Sequence, residues 1–91
     1  MKVLTIVLCF NSKKYIGECL DSLSKTNTEI LVVDGGSTDG SAEYIKVKLI
    51  ETHKNLGYAG GNNVGLKYAL EHNYDFVWIV NPDIVVDPKA L

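Results

Sequence analysis

Ile30-Leu31-Val32-Val33-Asp34-Gly35-Gly36-Ser37-Thr38-Asp39-Gly40 is an apolar run that stops on a carboxylate and opens into a turn of glycine, serine and aspartate. A run of β-branched residues this short reads as a buried strand, and the punctuation after it as the loop at its carboxyl end. Upstream, Val3 to Cys9 is a second near-continuous apolar run, the pattern of a strand covered on both faces in a parallel sheet. Between the two, Ser12 is placed to cap a helix whose Ile16, Cys19, Leu20 and Leu23 form one apolar stripe. Downstream, Ala42 to Lys46 has helical composition and Val47 to Ile50 reads as a third, short strand. The stretch Asn55 to Gly65 is rich in glycine and asparagine; after it, Leu66, Ala69 and Leu70 make another helical stripe, Asn73 stops it, and Phe76 to Val80 is a fourth strand. Strands alternating with helices predict an α/β fold, a mainly parallel sheet of about four strands with helices on both faces.

The chain of 91 residues is long enough for one core, so residues 1–91 are expected to form a single domain. Its 46% hydrophobic and 22% charged residues are those of an ordinary globular chain. A net charge of -2 gives no basis for a general grip on nucleic acid or anionic lipid, so any phosphate must be held locally. The apolar run at Val3 to Phe10 is too short to span a bilayer and lacks a signal-peptide cleavage pattern, which predicts no transmembrane segment and a cytoplasmic protein. Cys9 and Cys19 lie inside apolar segments without metal or disulfide spacing and read as buried and inert; His53 and His72 read as surface or packing residues.

In parallel sheets, ligands bind beyond the carboxyl ends of the strands. Asn11, Asp34 and Asn81-Pro82-Asp83 share that address after the first, second and fourth strands, although each alone is also a common turn former. Gly35 to Ser41 nearly spells a phosphate loop but lacks its lysine, and no dinucleotide glycine spacing occurs there or around Gly57 to Gly61. Asp34 is left as a carboxylate at a strand end beside glycines, suited to accepting a hydrogen bond from a base or ribose.

The order of these motifs resembles the family 2 glycosyltransferases of the GT-A fold, in their rhamnosyltransferase-like subgroup. Cys9-Phe10-Asn11-Ser12, Val32 to Gly40, Asn55-Leu56-Gly57-Tyr58-Ala59-Gly60-Gly61-Asn62-Asn63-Val64-Gly65 and Asn81-Pro82-Asp83 are similar to four ordered motifs of that family, the last at its Asp-x-Asp position. The resemblance implies a Rossmann-like half-domain that binds a nucleoside-diphosphate sugar, a UDP-sugar or dTDP-sugar, and whose parent chemistry is inverting glycosyl transfer. It implies that Phe10 and Asn11 line the nucleotide pocket and that Asp34 meets the base. Gly60, Gly61, Asn62 and Asn63 would lie near the nucleotide and its phosphates, Gly36 and Asn81 would complete the set, and Asp83 would ligate Mn²⁺ or Mg²⁺.

Cys9 stands where the family has a hydroxyl residue, and Gly35 where it has Asn or Asp. Asp87, Pro88 and Lys89-Ala90-Leu91 begin a helix that does not continue, so the acceptor pocket and catalytic base of the family's second half are expected to be missing. No catalytic residue is assigned; Asp39, Glu43, Asp75 and Asp87 read as solvated charges. The alternative is a structural module that covers its open sheet by self-association, as a homo-oligomer or with a missing C-terminal half. A sugar-phosphate nucleotidyltransferase ranks last, because Asn11-Ser12-Lys13-Lys14 holds no glycine.

Overall fold

A computed structural model describes residues 2–54 and 56–80. Strand β1 spans Val3–Cys9, helix α1 Lys13–Leu23, β2 Glu29–Asp34, a short 3-10 turn Ser41–Tyr44, β3 Lys48–Glu51, α2 Gly57–Glu71 and β4 Phe76–Val80. The sheet has the order β3-β2-β1-β4 and every pairing is parallel. Register places Cys9 opposite Asp34 and Asp34 opposite Glu51, so three strands end side by side.

Parallel neighbours need crossovers, and the two helices cover opposite faces. On one face Ile16, Cys19 and Leu23 of α1 pack with Val7, Cys9, Val32 and Val80. On the other, Ala69 of α2 packs with Leu4, Ile6, Leu31 and Val33. Both faces of β1 are thus buried, which is why its sequence is a run rather than an alternation. The one polar residue in the run, Thr5, is fully buried and hydrogen-bonds through Oγ1 to Thr28 Oγ1 at 2.8 Å, which offsets its loss of water. The α/β half-sheet with helices on both faces is therefore as the alternation predicts, and no helix among the described residues is long and apolar enough to cross a membrane.

Four local expectations are corrected. The helical composition after Gly40 yields a single 3-10 turn, and the third strand runs one residue later than expected. Ser12 is the N-cap by position, but its hydroxyl donates to the Phe10 carbonyl at 3.2 Å instead of capping α1. The helix expected after the Gly/Asn-rich stretch begins inside it, at Gly57.

The stripe on α2 is also different. Ala69 is buried, but Leu66 is 39% and Leu70 81% exposed. The buried face consists of Gly61, Gly65 and Ala69, residues with almost no side chain, so that α2 lies tightly on β1. A Cβ on Gly61 would stand 3.2 Å from Leu8 Cδ2, and one on Gly65 2.7 Å from Ile6 Cδ1. Asn73 ends the segment as expected, at φ 60°, in the left-handed region that asparagine tolerates. The expectations for Asn81, Asp83 and the helix at 87–91 fall outside the described residues.

Candidate functional site

The carboxyl ends of β1 and β2 run into two loops that are fastened to each other. Asn11 sits at φ 47°, unusual for a residue with a side chain. Its backbone N–H donates to Ser37 Oγ at 2.9 Å, and its Oδ1 accepts the Thr38 N–H at 2.7 Å. The Gly35 N–H donates to the Cys9 carbonyl at 2.8 Å, continuing the β1–β2 ladder into the loop. The residues that look like separate motifs in sequence thus form one rim.

Asp34 is buried, 3% exposed, and its carboxylate folds onto its own loop. Oδ2 accepts the N–H groups of Gly36 and Ser37 at 3.2 and 3.1 Å, and Oδ1 accepts the Ser37 hydroxyl at 2.5 Å. Three donors compensate the desolvated charge, and little accepting capacity is left over. The Asp34 carbonyl accepts the Thr52 N–H at 2.9 Å, which carries the rim across to the end of β3.

Asp39, expected to be a solvated charge, is partly exposed but also ties two segments together. Its Oδ1 accepts the Ser41 N–H at 2.9 Å and the Ser41 hydroxyl, while its Oδ2 accepts the Lys13 N–H, the first of α1, at 3.1 Å. The Ser41 hydroxyl bond, ahead of the backbone donors, holds the Asp39 carboxyl below the ordinary carboxylate range. The α1 cap that Ser12 does not provide comes from this distant loop.

Beside the rim lies a cleft of about 230 Å³, lined by Leu8, Cys9, Phe10, Ser12, Val33, Gly35, Thr52, Leu56, Gly57 and Gly61. Its walls are the last residues of β1 and β2, the loop residues that follow β1, β2 and β3, and the amino end of α2 with Leu56 before it. Most of the lining is apolar, and Phe10 at its mouth is 47% exposed. Cys9 is a free thiol in that wall. Burial first, and the neighbouring Asp34 carboxylate second, push its pKa up, which keeps it protonated and weakly nucleophilic. The reading of Cys9 and Cys19 as buried thiols stands.

Of the residues expected at a site, Phe10 and Gly61 line the cleft directly. Asn11, Asp34 and Gly36 form the rim behind it. Gly36, at φ 83°, lies under the next loop, where a Cβ would stand 3.0 Å from the backbone of His53 and Lys54. Gly60, Asn62 and Asn63 are in the first turns of α2, and Asn62 carries a buried Oδ1 without a hydrogen-bond partner. Asn81 and Asp83 lie outside the described residues. Leu8, Val33, Thr52 and Leu56 were not singled out in the sequence. The strand-end rule could have found Leu8, Val33 and Thr52, because they flank the three level strand ends.

Among the described residues, no three His, Cys, Asp or Glu side chains come together to hold a metal ion. The described lining offers an apolar slot, bordered by a helix amino end without acidic residues in its first turn.

The sequence model of glycosyl transferase family 2 matches residues 5–91. Among solved structures, Staphylococcus aureus TarS 1–349 superposes with a TM-score of 0.85 at 33% identity, over 100% of this chain and 30% of that one. The same TarS fragment in complex with UDP-GlcNAc gives 0.83 at 32% identity, over 98% and 28%. A poly-beta-1,6-N-acetyl-D-glucosamine synthase of S. aureus is 30% identical over 93% of this chain and 22% of its own length. The low-salt glycan biosynthesis hexosyltransferase Agl10 of Haloferax volcanii is 29% identical over 94% and 29%. The chain thus spans less than a third of the relatives it matches.

Proposed function

We propose, from the premise that this chain belongs to glycosyl transferase family 2, that it is a donor-binding unit whose cleft receives the nucleoside diphosphate of a UDP-sugar. The observation that carries the reading is the cleft itself: an apolar slot at three level strand ends, walled by the amino end of a 15-residue helix. A pyrimidine base and ribose suit the slot between Leu8, Phe10 and Val33. The diphosphate suits the amino end of α2, where the helix dipole favours anions and Gly57 and Gly61 in the lining carry no side chain. The buried Asn62 Oδ1 is an acceptor in search of a donor at that end. That a UDP-GlcNAc complex is known for a TarS fragment similar over 98% of this chain supports uridine over thymidine.

The parent chemistry in this reading is inverting hexosyl transfer. What the described residues contribute to it is binding and orientation, with Asp34 and Asn11 holding the rim that shapes the slot. A divalent cation, Mn²⁺ or Mg²⁺, at Asp83 belongs to the proposal, and its part would be to neutralise charge on the leaving diphosphate. The described residues supply no donor set of their own for it, and no step is derived through it. Cytoplasmic placement belongs to the same reading, since two free buried thiols suit a reducing compartment.

The test is thermal unfolding with UDP, dTDP and ADP at millimolar concentration, each with and without Mn²⁺. A ligand at a hundred times its Kd stabilises by roughly 2.7 kcal/mol, and each kcal/mol moves a domain of this size by about 4–8 °C. UDP is expected to raise the Tm more than ADP, with a further rise on adding Mn²⁺. No shift with any nucleotide in a folded sample would remove the donor-binding reading.

Self-association is a second reading, favoured by one observation: β4 is an edge strand among the described residues, and its Phe76 is 58% exposed. Sedimentation equilibrium decides it, a strictly monomeric species at tens of micromolar excluding it.

A further inference from the structure

We infer that Asp39 is a positioning residue: by reaching from the β2 loop to the amino end of α1, it holds the Phe10 wall of the cleft in place. The segment from Cys9 to Ser12 supplies three of the cleft's lining residues, Cys9, Phe10 and Ser12. Phe10 to Ser12 is neither strand nor helix, and Asn11 within it adopts the left-handed conformation that asparagine tolerates, at φ 47°. Bonds from the facing loop hold it instead. Ser37 Oγ and Thr38 N–H engage Asn11, and Asp39 Oδ2 engages the Lys13 N–H.

The Asp39 contact differs from the other two in charge and in anchorage. It places a full negative charge at a helix amino end, the stronger kind of hydrogen bond. Its other oxygen is tied to the N–H and hydroxyl of Ser41, which is completely buried. The carboxylate therefore spans from a core-anchored residue to the first turn of α1, and α1 is itself fixed by the buried Ile16 and Cys19. With that span cut, the facing loop holds Phe10 to Ser12 through Asn11 alone, while the Ser12 carbonyl keeps its bonds from the Tyr15 and Ile16 N–H groups, so the wall can open without unfolding of the sheet or of α1.

This role deepens the donor-binding reading and rests on it where nucleotide affinity is concerned. The wall's mobility can be read without any nucleotide, through the thiol beneath it. Cys9 and Cys19 fall in different tryptic peptides, since Lys13 and Lys14 separate them. Labelling by iodoacetamide, followed by mass spectrometry, reports each thiol separately. Cys19, on the buried face of α1, serves as the internal monitor of global unfolding.

In Asp39→Ala the Cys9 labelling rate is expected to rise on the order of fivefold, the size of a lost helix cap, with the Cys19 rate unchanged. Asp39→Asn, which keeps one acceptor oxygen, is expected to fall between wild type and Asp39→Ala. UDP should slow Cys9 labelling in the wild-type chain, and its Kd should rise by a similar factor in Asp39→Ala. Equal acceleration of both thiols would reduce Asp39 to a general stabiliser and overturn the inference, as would no acceleration of Cys9 in either variant. Lack of UDP protection in the wild-type chain would count against the donor-binding reading, and the thiol contrast would still decide the positioning role.

Discussion

Gly65 of α2 faces Ile6 of β1 so closely that a Cβ on the glycine would fall 2.7 Å from Ile6 Cδ1 and 2.9 Å from its Cγ2. Ile6 is completely buried and has nowhere to retreat. The contact sets the distance between α2 and the sheet, and with it the width of the cleft at the amino end of the same helix.

Gly65→Ala is accordingly expected to destabilise the fold by about 1–3 kcal/mol, the usual cost of overpacking a filled core, although alanine is the better helix former. Gly17→Ala is the control: α1 has open space there, so the same change should stabilise by up to about 1 kcal/mol. Urea unfolding of the two variants should move the midpoint in opposite directions. Equal signs would refute the claim that close approach, rather than helix propensity, governs α2.

Gly36→Ala should cost more than about 2 kcal/mol, because it combines a positive φ of 83° with backbone atoms of His53 and Lys54 at 3.0 Å that no rotamer change relieves. Because the loop above it must shift, the Thr52 wall of the cleft should move too. Amide exchange of residues 52–54 in a marginally folded variant would reveal this, and protection equal to wild type would contradict it.

Asp34→Ala strips the partner from the Gly36 and Ser37 N–H groups in a buried rim. A loss of about 1–3 kcal/mol is expected, together with weaker UDP binding. The two effects separate by ligand: if Asp34 also touches the base, the discrimination between UDP and ADP should collapse, whereas a purely structural carboxylate would weaken both nucleotides equally. Calorimetric titration of each nucleotide reads the difference.

The Cys9 thiol predicts an alkaline weakness. Its native pKa is raised by burial and by Asp34, so the native state binds its proton more tightly than the unfolded chain does. The associated stability is fully present below the unfolded thiol's pKa, about 8.5, and is lost as pH rises from there through the raised native value. Unfolding midpoints between pH about 7.5 and about 10 should fall more steeply for wild type than for Cys9→Ala, which lacks the titrating group. Parallel slopes would show that other groups carry the alkaline loss.

The strands were legible because their burial is written in their composition: β1 and β4 fall on the residues their apolar runs predict. α2 was half legible. Its amino half is built of Gly57, Gly60, Gly61, Asn62 and Asn63, poor helix formers by intrinsic preference, and it is held as a helix by packing in which Gly61 and Gly65 lie against Leu8 and Ile6. The same smallness hid its orientation. Hydrophobic periodicity finds a buried face by the size of its side chains, and where that face is glycine and alanine the larger Leu66 and Leu70 mislead by pointing outward. Phe10, Asn11 and Asp34 could be read as neighbours from the strand-end rule. The Asp39 contact with Lys13 could not, since a bond across 26 residues between a loop and a helix start leaves no local pattern.

The strand order has a kinetic side. β1, the first strand in the chain, is the centre of the sheet, and its partner β4 follows it by more than 60 residues: Val3 pairs with Phe76. No hairpin exists among the described strands to nucleate the sheet locally, and each pairing must close a loop that includes a crossover. Folding should therefore be slow for a chain of this size, with α1 docking between β1 and β2 as the earliest assembly. Until β4 arrives, one whole edge of β1 offers its backbone donors and acceptors to any other chain nearby, so refolding yield should fall steeply with protein concentration.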